Sequence, residues 1–336
     1  MGYSVLLGLS LVMIAGFMSG CCMLPVKFVR SWKWENIWLM FSILSLVVIP
    51  WSLALALVGR LFDTYRALSA YQLALPMLLG AGWGIAQILF GVSVKRLGLG
   101  IAYAIIVGLS AILGTVVPFF AQQRGFAKEH TLQLIVCAVL VMAVGIALTA
   151  WGGQIKERAT APARNPGQRS YPLAIFLAVL CGLLAPMLNY SFAFGQDIAK
   201  AAVAFGNPPV RAAYAVWPVA LAGGLVPNLS YSAWLLVKNH TWSSFRSNPA
   251  DFFRSSLMGV LWMGAFAVYG MSATFLGSLG TSVGWGLLQI FMIMTAILAG
   301  VFTGEWRYAS RSAKLLLSTG IAGLTIATVI LAISNL

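Results

Sequence analysis

The sequence predicts an all-α integral membrane protein whose ten transmembrane helices form two inverted five-helix repeats. Of the 336 residues 60% are hydrophobic and 8% charged, with a mean hydropathy of +0.91. Too little polar surface remains to cover a water-soluble globule of this size. The apolar residues fall in runs of the roughly 20 residues a helix needs to cross a bilayer, not in the period-two alternation of a barrel. A duplication adds to this: Gly80, Trp83, Gly91, Ser93, Leu97 and Gly98 recur as Gly259, Trp262, Gly270, Ser272, Leu276 and Gly277, all at an offset of 179. Each copy holds five spans, and an odd number sends the second copy across the bilayer in the opposite sense.

The expected spans are 3–24, 36–58, 72–94, 98–121, 131–151, 171–195, 212–237, 254–276, 281–302 and 314–334. The first run lacks the basic start and small-residue cleavage site of a signal peptide and reads as a retained helix. Pro50 in the second span, Pro76 in the third, Pro118 in the fourth, Pro186 in the sixth, and Pro218 and Pro227 in the seventh each delete a helical hydrogen bond and favour a kink. Small residues crowd spans three, four, eight and nine, as close backbone approach requires. Cys21, Cys22, Cys137 and Cys181 all lie in apolar runs without metal-ligand spacing and read as small buried hydrophobes. The halves are 1–151 and 171–336, joined by a solvated linker over 152–170 rich in Arg, Pro and Gly.

The net charge of +14 invites a nucleic-acid reading, which its distribution refutes. Of 21 Lys and Arg residues, 15 fall in the odd-numbered connections. That bias places those connections in the cytoplasm and both termini outside. The basic excess is a topology signal, with a weak attraction to anionic lipid headgroups.

All seven acids, Glu35, Asp63, Glu129, Glu157, Asp197, Asp251 and Glu305, fall in connections or at span ends, as do His130 and His240. No carboxylate pair, His cluster or activated nucleophile lies at membrane depth, which argues against an enzyme or metal centre, and nothing calls for a cofactor. What lies at depth is neutral and polar. Trp83 and Gln87 share a face of span three, and Trp285 with Gln289 repeats that spacing on span nine. Trp262, Phe266 and Tyr269 line span eight, and Asn189 with Tyr190 follows Pro186 in span six. Amides are costly in lipid, so they face the interior and bond to a partner helix or to a ligand. Beside flat rings they suit a small neutral sugar, with amides meeting hydroxyls and rings packing on C–H faces. Trp32, Trp34, Trp38 and Trp306, at span ends, read as interfacial anchors.

Several short motifs point to a family. They are Leu24-Pro25-Val26-Lys27 followed by Trp32-Lys33-Trp34-Glu35; Gly82-Trp83-Gly84-Ile85 with Gly91 and Arg96-Leu97-Gly98; Gly114-Thr115; Gly153-Gln154-Ile155-Lys156-Glu157-Arg158; and Glu305-Trp306. Over essentially the whole chain these resemble the L-rhamnose/proton symporters of the drug/metabolite transporter superfamily. The resemblance implies proton-coupled uptake of a sugar through a bacterial-type inner membrane by alternating access. Trp83, Gln87, Asn189, Tyr190, Trp262, Tyr269, Trp285 and Gln289 are the expected sugar site; Glu35 and Glu305 are the available proton carriers. On the residues alone, carriage of another neutral polar metabolite and a non-transporting sugar-binding sensor both stay open.

Overall fold

Inside lipid a helix satisfies its own backbone, and the apolar runs of this chain do so one after another. The computed structural model describes residues 2–122, 129–160 and 171–334, and among them there is no β-strand. Ten helices are long and apolar enough to cross a membrane: α1 (Ser4–Phe28), α2 (Trp34–Leu57), α3 (Ala70–Leu97), α4 (Ile101–Ala121), α5 (Glu129–Glu157), α6 (Pro172–Ala204), α7 (Pro209–Lys238), α8 (Pro249–Leu279), α9 (Val283–Phe302) and α10 (Arg311–Ser334). Most boundaries lie within a few residues of expectation. Two do not. Helix runs on past α5 to Thr160, so the first part of the expected linker is helical, with Gly152 against the Ala313 carbonyl of α10. The rest of that linker, with Arg164 and Arg169, lies outside the described residues. The sixth helix continues beyond a break at Gly195 as Gln196–Ala204.

Local chemistry explains where helices start, break and stop. Ser69 opens α3 with a reciprocal cap: its hydroxyl accepts from the Gln72 backbone N–H, and the Gln72 side-chain Oε1 accepts from the Ser69 backbone N–H. Asn248 caps α8 ahead of Pro249, which needs no N–H partner there. Pro186 interrupts α6 between Tyr171–Leu184 and Met187–Phe194. Pro50 follows a widened π turn, Leu44–Val48, which absorbs its missing hydrogen bond. Pro76, Pro118 and Pro227 sit within unbroken helix, and Pro218 lies in the first turn of Val216–Lys238. The α-helical stretches Ala70–Leu97 of α3 and Pro249–Leu276 of α8 end at the matched glycines Gly98 (φ 86°) and Gly277 (φ 69°), α8 going on from there only as a tighter 3₁₀ turn to Leu279; that backbone conformation is strained for any residue with a Cβ.

The helices pack in a defined set of pairs. α1 lies against α8 and α9, α2 against α7 and α8, α3 against α4, α6 and α7, α4 against α5, α6 and α9, α5 against α10, α7 against α6 and α8, and α9 against α5, α8 and α10. The α3–α7 crossing is the closest backbone approach. Gly80 faces the Ala220 carbonyl, Gly84 the backbone of Gly224, and Gly223 the Met77 carbonyl, with no room for a Cβ at any of them. Cys22 and Cys181 are buried as expected, but Cys21 is half-buried and Cys137 exposed on the outside of the bundle; Cys137 faces outward from α5, where an apolar thiol is compatible with lipid.

The glycine contacts give a graded prediction. Gly80→Ala should cost about 1–3 kcal/mol by overpacking, Gly259→Ala less because its nearest neighbour would stand at 3.2 Å, and Gly91→Ala nothing because its surroundings are open. Thermal midpoints in detergent measure the order; equal midpoints for Gly80→Ala and Gly91→Ala would contradict the crossing described.

Candidate functional site

The interior is organised by rings on α8, where Trp262, Phe266 and Tyr269 follow one another at helical spacing. Trp262 stacks on Trp83 of α3, with centroids 5.2 Å apart and planes at 23°. It also lies 4.5 Å from Phe266 and takes the edge of Phe41 at 5.6 Å. Phe266 in turn meets Trp217 of α7 and Trp285 of α9, and Tyr269 sits edge-on to Trp285 at 6.0 Å. All these rings are buried.

Beside the rings runs a layer of neutral hydrogen bonds, with Asn189 at its centre. The Asn189 amide donates to the carbonyls of Gly114 (2.9 Å) and Thr281 (2.8 Å), and its oxygen accepts from the Tyr269 hydroxyl (2.6 Å). The Gly114 carbonyl needs such a donor because Pro118, four residues on, has no N–H to give it. Tyr190 donates to the neighbouring Leu113 carbonyl at 2.9 Å. Trp285 Nε1 donates to the Ser110 carbonyl (3.1 Å), and Gln289 donates to the Ser110 hydroxyl (3.3 Å). Ser282 donates to the Thr115 carbonyl at 2.7 Å.

Of the expected site residues, then, Trp83, Trp262, Tyr269, Trp285, Gln289, Asn189 and Tyr190 form one connected web. Gln87 stands apart, half-buried one turn from Trp83 and without a hydrogen-bond partner among the described residues. The indole nitrogens of Trp83 and Trp262 likewise make no hydrogen bond there, so three of the unengaged donors lie around the stacked pair; among the described residues the buried Trp32 and Trp217 N–H groups and the Ser93, Ser255 and Ser256 hydroxyls are unpaired elsewhere. Sequence reasoning missed Phe41, Phe192, Trp217 and Ser110. Only the Gly114-Thr115 motif hinted that this part of α4 belonged to the interior.

A cavity of about 340 Å³ opens on the face formed by the α6–α7 and α8–α9 connections, lined by Phe192, Gln196, Lys200, Ala213, Thr274 and Thr281. Its size falls within the about 300–1,000 Å³ of small-molecule sites. Thr281 at its floor is the residue whose carbonyl holds Asn189.

The opposite face carries charged ties, beside a second cavity of about 410 Å³ at the α9–α10 connection lined by Val301, Gly304, Trp306, Arg307, Lys314 and Leu317. The buried Asp251 carboxylate at the start of α8 accepts the backbone N–H groups of Arg30 (3.2 Å), Ser31 (2.7 Å) and Trp32 (3.2 Å) in the α1–α2 connection, and Arg254 at 2.7 Å. Glu35 accepts from Asn239 (2.9 Å) and Thr241 (2.8 Å) beyond α7. Glu305 pairs with Lys27 and, at 3.5 Å, with Lys156, whose ammonium also lies 4.7 Å over the Trp306 ring. The Lys27 hydrogen bond holds the Glu305 carboxyl below its usual range against the opposing effect of partial burial. The expectation of interfacial anchors is corrected here. Trp32 and Trp306 are buried in these ties, and Trp38 is buried with its N–H on Asn228 at 2.9 Å; Trp34 alone of the four is exposed. Their rings are worth more packed between connections than at the lipid boundary because each covers a charged or hydrogen-bonded tie.

Ten apolar helices around a buried layer of rings and amides, with a cavity on one face and ties on the other, define a multi-pass membrane protein of the kind built to pass a solute. The chain belongs to the L-rhamnose-proton symport protein (RhaT) family, which matches residues 1–335. It is similar to the L-rhamnose-proton symporter of Klebsiella pneumoniae, 26% identical over 340 residues and covering 97% of each chain, and to that of Cronobacter sakazakii at the same identity and coverage. The L-rhamnose-proton symporter of Escherichia coli O45:K1 is 25% identical over 346 residues, covering 99% of each chain.

Two outcomes follow from these bonds. Asn189→Leu removes the amide donor from the Gly114 and Thr281 carbonyls and the acceptor from the Tyr269 hydroxyl, three bonds at once, at about 1–3 kcal/mol for each buried group it strands, whereas Tyr269→Phe loses one bond worth about 1 kcal/mol. Detergent melting should show the larger drop for Asn189→Leu; equal drops would mean that the carboxamide is not the tie. The second concerns pH. A carboxylate whose pKa is lowered by folding stabilises the folded state above its unfolded value of about 4.3. That contribution is lost as pH falls through the folded value. The midpoint difference between the unmodified protein and Glu305→Gln should therefore shrink on acidification from neutrality through this range; a constant difference would remove the Lys27 tie from the balance.

Proposed function

We propose that this chain carries L-rhamnose together with a proton across the bacterial inner membrane by alternating access. The observation that carries the reading is membership, over residues 1–335, of a family named for that symport, whose curated relatives match this chain nearly end to end.

The architecture we infer is two inverted five-helix repeats, 1–151 and 171–336, of the drug/metabolite transporter type. Most of the packing pairs support it: exchanging each helix for the one five places on turns α1–α8 into α6–α3, α2–α8 into α7–α3 and α5–α10 into itself, while α6–α7, α7–α8 and α5–α9 have no counterpart of like extent. Contacts between positions 179 apart support it too, since both the Trp83–Trp262 stack and the Gln289–Ser110 bond join such positions. Two equivalent residues touch where the axis relating them passes. With the odd connections cytoplasmic and both termini outside, the cavity faces outward and the tied face is the inner gate.

In this reading the sugar packs a C–H face on the Trp83–Trp262 stack. Gln87 and the two indole N–H groups meet its hydroxyls, while Asn189, Tyr190, Tyr269, Trp285 and Gln289 frame the site and exchange their bonds as it opens. Hydrogen-bonding groups aimed at hydroxyls discriminate by leaving a buried donor unpaired when a hydroxyl is missing. Glu35 and Glu305 are the proton candidates, placed where loss of a charge loosens the inner gate.

Uptake of labelled L-rhamnose into proteoliposomes, with and without an acid-outside gradient, tests the proposal. Saturable uptake that the gradient accelerates and a protonophore abolishes is expected, and Gln87→Ala should lower it several-fold without loss of membrane insertion. No saturable rhamnose uptake would sink the reading, and undiminished transport by Gln87→Ala would take that residue out of the site.

A further inference from the structure

The described interior contains a donor that has no partner. Trp217 of α7 is 1% exposed, and its indole Nε1–H makes no hydrogen bond. Its ring is fixed, stacked on Phe192 at 4.7 Å and 12° and taking Phe266 edge-on at 5.8 Å. An unpaired N–H held in one orientation inside a membrane protein works against folding, because neither water nor lipid stands ready to accept from it. The residue packed against it carries no side chain. Gly270 of α8 is the residue it faces: a Cβ there would stand 3.2 Å from Nε1 and 3.5 Å from the Phe192 ring.

The position of this donor relates it to the cavity. Ala213, one turn before Trp217 on α7, lines the cavity, as do Ala273 and Thr274, one turn after Gly270 on α8. Phe192 belongs to both levels, lining the cavity and covering the Trp217 ring. The indole N–H therefore lies one helical turn below the cavity floor along the same three helices, with the Phe192 ring as the partition. One turn deeper again stand Phe266 and Trp262, which lead to the Trp83 stack.

We propose that Trp217 is a binding residue for the hydroxyl-rich solute, its Nε1–H reserved for one sugar hydroxyl that enters when the Phe192 ring turns aside over Gly270. The inference rests on the proposed sugar transport and adds to it a specificity-determining contact. It also accounts for a glycine at position 270: the hydroxyl must approach the indole from the α8 side, and any larger residue would fill that place.

Equilibrium binding of L-rhamnose to the purified full-length protein, together with analogues each lacking one hydroxyl, tests it. The unmodified protein should lose about tenfold in affinity for one particular deoxy analogue, as one buried hydrogen bond requires. Trp217→Phe, which keeps an aromatic six-membered ring but deletes the donor with part of the indole's volume, should bind rhamnose about tenfold more weakly and be indifferent to that same hydroxyl, with whatever stability the lost volume costs read separately by melting. Gly270→Ala provides a second variant should Trp217→Phe fail to fold, and it too should lose the dependence on that hydroxyl. Wild-type affinity with the full hydroxyl dependence in either folded variant would overturn the assignment of Trp217 while leaving the transport reading intact. Absence of rhamnose binding by the unmodified protein would overturn both.

Discussion

A carbonyl without a donor is the constraint on which the interior depends. Within hydrocarbon no water completes an interrupted helix, so each break must be closed by a side chain from elsewhere. Pro118 interrupts α4 at Gly114, and the corner before α9 leaves the Thr281 carbonyl exposed to the interior; one Asn189 amide serves both. Because those carbonyls belong to α4 and to the α8–α9 corner, the amide also fixes how α6, α4 and α8 stand together. The Tyr269 hydroxyl then occupies the remaining oxygen, so the carboxamide that reads from sequence as a ligand contact is first a keystone. Solute binding at this level has to work around it or exchange with it.

The two faces of the bundle obey different rules. On the tied face the partners are charged or are backbone amides aimed at carboxylates. Asp251 collects three consecutive N–H groups and the Arg254 guanidinium, so its buried charge is met by backbone dipoles as well as by a full opposite charge. Three stretches that look unrelated along the chain, around Lys27, Lys156 and Glu305, meet there. On the face of the α6–α7 and α8–α9 connections the ties are mostly neutral: Asn207 and Gly59 bond in both directions, and Tyr65 donates to the Ala215 carbonyl, while Gln196, Lys200 and Thr274 line open space.

The spans and the Trp83–Trp262 pair were legible in sequence because both are repetitive signals: apolar runs of membrane length, and a duplicated tryptophan at a fixed offset. The roles of individual residues were less legible. Trp217 and Phe192 sit in apolar runs where any ring is equally at home in a core, and only their neighbours in space distinguish them. Trp38 and Trp306 carry the composition of interfacial anchors, yet tertiary contacts draw both inside. Residues 152–160 read as linker from their polar character, but a helix end protruding beyond the bilayer has the same character. In each case the sequence gives polarity and the fold decides what the polarity meets.

The placement of charge separates two kinds of bond that a moving protein must break. All seven acids lie in connections or toward helix ends; Asp251 and Glu35 are buried there, whereas around the exposed Asp63, Asp197 and Glu305 water can take over a lost partner and salt screens the attraction. The middle layer holds neutral bonds instead, such as Trp285 to Ser110 and Tyr269 to Asn189, and water has no place there as a substitute. A bond at the ends can simply open, whereas a bond at depth has to be traded for another. A solute bearing several hydroxyls is suited to that trade, since each hydroxyl both donates and accepts and can stand in for either partner. An apolar solute of the same size would strand the amides and carbonyls it displaced, so the neutrality of the interior selects for hydroxyls as strongly as any single contact does.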